Sequence, residues 1–175
     1  MKNAQPRILV TGGLGIIGSG IVTELRKRKC YVISLGKTHS NDEIAFSLNS
    51  DLENPQYARC DISEYRQLNR VFEIHGPFDY VYNCAAEFGR WNGEDFYELL
   101  WKTNAIGTKN IIRLQESLGF KLIHFSSSEV YGIPTEDEVP ITEDNYIRPA
   151  NPYSISKVGH DLMSQYYHKA FDMKI

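Results

Sequence analysis

The sequence lacks most of the features that would set it apart from ordinary globular proteins. It has no apolar run long enough to cross a bilayer or to serve as a secretory signal, and its first strand-like run begins within a few residues of Met1. Cysteine is scarce: Cys30, Cys60 and Cys84 are odd in number, far apart and without a C-x-x-C pair. That pattern argues against a disulfide framework and for free thiols in a reducing compartment. The five histidines, His39, His75, His124, His160 and His168, show no ligand spacing, so no metal is expected. Neither sign of charge dominates, with 19 Lys and Arg against 22 Asp and Glu and a net charge of −3. This leaves no footprint for nucleic acid. The one dense basic run, Arg26-Lys27-Arg28-Lys29, falls at the end of a predicted helix, where cations offset the dipole. A cytoplasmic chain without membrane or nucleic-acid partners is the expectation.

What is present is a chain of 175 residues, 42% hydrophobic and 23% charged, suited to one domain with a conventional core over 1–175. Its opening stretch, Arg7 to Gly18, is a short apolar run that breaks into glycines and then becomes helical. Gly13, Gly15 and Gly18 follow the G-x-G-x-x-G spacing, directly after Gly12. The glycines allow a tight turn, backbone approach to a pyrophosphate and close helix–sheet packing. Amides at a helix start near Ile16 and Ile17 then face the phosphates. Ile17, Ile21, Val22 and Leu25 mark one face of that helix.

Tyr31 to Leu35 reads as a second strand, whose end selects the cofactor. An acidic residue there would hold the adenosine ribose of NAD. Gly36 and Lys37 stand there instead, which favours NADP weakly, unless Lys37 is a plain loop lysine and backbone groups hold the ribose. Thr38 to Pro55 is polar and reads as a long loop. Tyr57 to Cys60 is a third strand, and Ser63 a candidate N-cap for a helix burying Tyr65, Leu68, Val71 and Phe72. Gly76-Pro77 ends that helix, Asp79 to Asn83 forms a fourth strand, and Cys84-Ala85-Ala86 places small residues at its end. Phe96, Leu99, Leu100, Thr103, Gly107, Ile111, Leu114 and Leu118 recur at three and four, predicting a helix closed by Gly119. Lys121 to Phe125 is a fifth strand running into Ser126, Ser127, Ser128 and Glu129, and a last helix runs from near Tyr153 towards Phe171. Strands alternate with helices, so a doubly wound α/β sheet of parallel strands is predicted. Asp172 to Ile175 reads as the approach to a sixth strand.

Tyr153 and Lys157 lie four apart on a predicted helix and share a face. With 11 tyrosines in the chain the pair alone says little, but it follows a strand ending in hydroxyls, in a chain that opens on a dinucleotide fingerprint. The sequence resembles the extended short-chain dehydrogenase/reductase family of NAD(P)-dependent nucleotide-sugar epimerases, dehydratases and decarboxylases. Thr11 to Gly18, Asp61-Ile62, Asn104-Ala105-Ile106-Gly107-Thr108, Ser126 to Gly132 and Tyr153 to Lys157 carry the resemblance, in order and spacing, over the whole chain.

The resemblance implies a Rossmann-type fold and a definite chemistry. Tyr153 takes a proton from a sugar hydroxyl as hydride leaves C4, Ser127 hydrogen-bonds the same oxygen, and Lys157 also holds the nicotinamide ribose. To act near neutrality the phenol needs about 4 kcal/mol of preferential stabilisation of its phenolate, for which Lys157 and an oxidised nicotinamide supply charge of the right sign. Asp61 and Ile62 flank the adenine, Ala85 and Ala86 line the cofactor path, and Asn104 braces the site. Glu129 handles a second proton in dehydration or decarboxylation, or else satisfies loop amides. Ser128 departs from the commonest 4,6-dehydratase pattern, in which an aspartic acid is expected, and this keeps decarboxylation and plain epimerisation open. A nucleotide-diphosphate sugar is the implied substrate, and a homodimer through the helices near 96–118 and 153–171 the implied assembly. The family builds its sugar pocket largely after the sixth strand, so the chain reads as truncated before that strand. A non-catalytic cofactor-binding module is thus the alternative from another class.

Overall fold

Successive side chains of Arg7–Thr11 (β1) point to opposite faces of the sheet and so feed two cores. Ile8 and Val10 pack with Val22 and Val32 on one side. Leu9 joins Ile33, Leu35, Val81, Leu68, Phe72 and Ile111 on the other. Strands covered on both faces are apolar throughout, which explains the unbroken run Ile8-Leu9-Val10. The computed structural model describes residues 5–38, 56–88 and 94–175. Most of the loop expected from Thr38 to Pro55 lies outside the described residues.

After β1 come Ile16–Lys27 (α1), Tyr31–Gly36 (β2), Tyr57–Arg59 (β3), Tyr65–His75 (α2) and Tyr80–Asn83 (β4). A continuous helical run follows: Tyr97–Trp101 (α3), a π-helical segment Lys102–Gly107, and Thr108–Leu118 (α4). Lys121–His124 (β5) and the long helix Pro152–Phe171 (α5) complete the regular elements, with short 3-10 turns at Ser128–Tyr131 and Glu136–Glu138. The five strands are all parallel, in the order β3-β2-β1-β4-β5. The chain moves outward from β1 in one direction and then restarts on its other side at β4. That reversal opens a crevice beyond the carboxyl ends of β1 and β4. Beyond α5, the Leu122 amide donates to the Lys174 carbonyl at 2.9 Å, so the expected approach of 172–175 to the outer edge of β5 is present as one rung.

Three local expectations are corrected. Ser63 does not cap α2: its amide and hydroxyl both donate to Asp61 Oδ1, at 2.9 and 2.8 Å, which holds the side chain in the preceding turn, and no helix amide donates to it. The helix starts one residue further on, behind Glu64, without a side-chain cap. The stripe from Phe96 to Leu118 is interrupted by the π segment, and Phe96, Leu99 and Leu118 are exposed. Leu100, Thr103, Gly107, Ile111 and Leu114 of the stripe are buried as expected, and the wider turn brings Asn104 and Thr108 inward as well. Ile17 leaves the buried face of α1 and lies exposed beside the crevice.

Candidate active site

At the carboxyl ends of the strands lies a cavity of about 540 Å³, a size suited to a small-molecule ligand. Its floor is the turn between β1 and α1. The left-handed φ of +63° falls at Gly12, whose Cα faces the Ala85 backbone so closely that a Cβ would sit 2.9 Å from it. Gly18 packs on the same turn, where a Cβ would come within 2.2 Å of the Gly12 carbonyl oxygen. Gly13 turns away from the cavity towards Ser34 and donates its amide to the Leu35 carbonyl at 3.1 Å. Gly12, Gly15, Ile16, Ile17 and Gly18 line the cavity. Helix α1 has no side-chain cap and no acidic residue in its first turn, so its leading amides and dipole are left to an anion.

One end of the cavity is polar. Gly36 ends β2 there and Lys37 follows it, and the Lys37 ammonium meets the Glu87 carboxylate at 2.7 Å. Asp61 and Ile62 stand beside them, and Ala85 and Ala86 form the wall after β4. Asn104 does not line the cavity but holds that wall: its Oδ1 accepts from the Glu87 amide at 2.9 Å, and its Nδ2 donates to the Glu87 carbonyl at 3.0 Å and to Ser156 Oγ at 2.9 Å.

Tyr153 and Lys157 occupy the other end, carried on α5, whose start is set by Asn151. Its side chain accepts from the Ser154 amide at 2.8 Å, with Pro152 next in the chain. Lys157 is only 4% exposed, and its Nζ donates to the Phe125 carbonyl at 2.9 Å and lies 5.9 Å from the Tyr153 ring centroid. Burial pulls its pKa down to about 8, against the opposing pull of Asp161 and Cys84. Burial and then the Glu129 charge push the Tyr153 phenol above its ordinary value, and the neighbouring Ser127 side chain only partly offsets them. The fall expected from Lys157 is thus not produced by the chain alone: the ammonium is engaged by a backbone carbonyl and stands off the ring.

The remaining sequence-selected residues are placed differently. Ser128 is exposed. The Glu129 carboxylate accepts from Asn151 Nδ2 at 2.8 Å, and neither residue lines the cavity. Thr103 was missed as a site residue, being read only as part of the helical stripe. Its hydroxyl is buried, lines the cavity and has no hydrogen-bond partner. Asn151 was legible as an Asn-Pro helix start, whereas Glu87 carried no sequence signal. Among the described residues no group of His, Cys, Asp and Glu could hold a metal ion.

The features fit a dinucleotide: a turn from which side chains are excluded, a helix start without a carboxylate, and an orphaned hydroxyl at the far end. A family model described as the NAD dependent epimerase/dehydratase family matches residues 8–175. A probable dTDP-glucose 4,6-dehydratase of Sinorhizobium fredii is 29% identical over 184 residues, covering 97% of this chain and 51% of the relative. A dTDP-glucose 4,6-dehydratase of Neisseria meningitidis is 32% identical over 168 residues, covering 89% and 47%. The structure of a Thermus thermophilus UDP-glucose 4-epimerase in complex with NAD superimposes with a TM-score of 0.82 at 27% identity, covering 95% and 52%. The chain spans about half the length of the curated relatives it matches.

Proposed function

Since the chain belongs to the NAD dependent epimerase/dehydratase family, we propose that it binds a nicotinamide dinucleotide in this cavity and modifies a nucleotide-diphosphate sugar by transient oxidation at C4, followed by dehydration or decarboxylation. The observation that carries the reading is Tyr153 beside a buried Lys157, at the end of a cavity floored by the glycine turn. When bound, the cofactor supplies the hydride acceptor. Gly12, Gly15, Ile16, Ile17 and Gly18 receive its pyrophosphate, Asp61 and Ile62 its adenine, and Thr103 and Lys157 its nicotinamide ribose. Tyr153 accepts the proton of the C4 hydroxyl, and Ser127 orients the two oxygens. The cation that lowers the phenol comes from the loaded cofactor together with Lys157.

Glu129, held by Asn151, handles the second proton. Relatives named dTDP-glucose 4,6-dehydratase support dehydration. A second reading, epimerisation by oxidation and hydride return alone, is favoured by exposed Ser128, since an alcohol does not deliver a proton at neutrality as a carboxylic acid does. Gly36 and Lys37 give NADP a weak advantage over NAD, reduced by the Glu87 carboxylate. The exposed Tyr97, Ile106, Leu162 and Tyr166 suit a homodimer through α3–α4 and α5, and the protein works in the cytoplasm. No helix among the described residues is long and apolar enough to cross a membrane.

The test is product analysis by mass spectrometry with dTDP- and UDP-linked glucose and glucuronate in the presence of NAD or NADP. Loss of water, loss of carbon dioxide and an isomeric product separate the three reactions. Tyr153→Phe is expected to slow turnover by about 10²–10⁴-fold. Turnover at the wild-type rate would remove Tyr153 from the chemistry.

A further inference from the structure

Behind the cavity a chain of buried and partly buried hydrogen bonds crosses the sheet, running in one direction with the Asn83 amide oriented towards Thr11 through its oxygen. The Ala85 amide donates to Thr11 Oγ1 at 3.1 Å, and the Thr11 hydroxyl donates to Asn83 Oδ1 at 2.7 Å. With its oxygen so used, Asn83 presents Nδ2, a donor, to Thr108 Oγ1 at 3.2 Å and to His124 Nδ1 at 3.1 Å. His124 Nδ1 is therefore an acceptor, and a neutral ring carries its hydrogen on Nε2. That nitrogen lies 2.9 Å from His160 Nδ1, which accepts in turn. The hydrogen of His160 is left on Nε2, buried and without a hydrogen-bond partner.

His160 is fully buried and stands three residues after Lys157 and seven after Tyr153, on one face of α5. The same helix also reaches the cavity wall through Ser156, whose Oγ accepts from the Asn104 Nδ2 that grips Glu87. We propose that His160, through His124, is a positioning residue that sets the Tyr153–Lys157 face of α5 relative to the carboxyl ends of β1, β4 and β5. The proposal rests on the cavity being the dinucleotide site. A buried leucine would fill the same space more cheaply, but it gives no direction and no register between helix and sheet. Burial and then the Lys157 charge hold the His160 ring neutral, and at His124 burial, the His160 ring and the Lys157 charge act in the same direction, as the relay requires.

The first measurement is ¹⁵N NMR of the histidine-labelled chain between about pH 5.5 and 8. His124 and His160 are both expected as non-titrating Nε2–H tautomers. An Nδ1–H tautomer on either ring, or a midpoint near the ordinary 6.5, overturns the relay. The second is NADH titration of folded variants. His160→Phe strands the His124 donor and is expected to weaken binding about tenfold. His160→Asn places an acceptor where Nδ1 stood and restores affinity to within about threefold. Equal affinity of wild type and His160→Phe, or no rescue by Asn, overturns the positioning role. If His160→Phe does not fold, the wild-type tautomers and the Asn variant decide it. A wild-type chain that binds no dinucleotide overturns the cofactor reading and the positioning role together, and the tautomers then report on the relay separately.

Discussion

Lys37 and Glu87 meet across one end of the cavity, Nζ to Oε1 at 2.7 Å, joining the residue after β2 to the wall after β4. The pair is partly exposed, so it is worth no more than about 1 kcal/mol, yet it occupies a cation next to the expected adenosine ribose. Glu87→Gln keeps the size of the side chain and releases the ammonium. Fluorescence titration is expected to show NADPH gaining about fivefold over NADH in this variant. Lys37→Ala removes the preference. No change in the ratio for either variant would mean that the second phosphate is read elsewhere.

The glycines of the first helix separate by geometry. A Cβ at Gly18 meets a backbone oxygen, which cannot swing aside, whereas one at exposed Gly20 meets nothing within 4 Å. Gly18→Ala is expected to destabilise the fold by about 1–3 kcal/mol and to abolish dinucleotide binding. Gly20→Ala is expected to stabilise it by about 0.5–1 kcal/mol with binding intact. Thermal denaturation with parallel NADH titration checks both.

Acid should unfold the protein through the imidazole pair. The pKa values of His124 and His160 are pulled to about 3, chiefly by burial, whereas in the unfolded chain both rings take up protons near 6.5. Between these values the unfolded state binds more protons, so stability is full above about pH 6.5 and falls as the pH drops towards 3. The slope is about 1.4 kcal/mol per pH unit for each ring. Urea unfolding between about pH 7 and 5 measures it, and His160→Asn should halve the contribution of the pair.

The cysteines should be unequal towards alkylation. Burial pushes the thiols of Cys60 and Cys84 up to about 12; the Asp61 charge adds to the shift at Cys60, and Lys157 opposes it at Cys84. Both stay protonated at neutrality and poorly nucleophilic. Mass mapping after iodoacetamide treatment of the native protein should find both unmodified, with unfolding in urea required to label them. Rapid labelling of Cys84 in the native state would contradict its protonated, shielded setting.

Much of the architecture was legible because it is written in local periodicity. The unbroken Ile8-Leu9-Val10 run, the glycines after it and the alternation of strand and helix suffice for a parallel α/β sheet with its crevice at Gly12–Gly18. The spacing of Tyr153 and Lys157 suffices to put both on one helical face. The expected cap at Ser63 fails because the turn that ties its amide and hydroxyl to Asp61 sets where the side chain lies, and composition does not show that turn. The interruption of the 96–118 stripe was likewise invisible, since a π turn changes the helical phase without changing the composition.

By itself, then, the sequence determined the order of strands and helices and the glycine turn between β1 and α1, both of which depend on residues adjacent in the chain. Only the tertiary structure decided which side chains meet across it. Lys37 with Glu87, Asn104 with the Glu87 backbone, and His124 with His160 are 50, 17 and 36 residues apart, brought together where separate strands and helices end. Burial at those junctions then set the protonation of Lys157, Tyr153 and both imidazoles. Desolvation depends on the whole surrounding shell of atoms, which no local pattern of residues encodes.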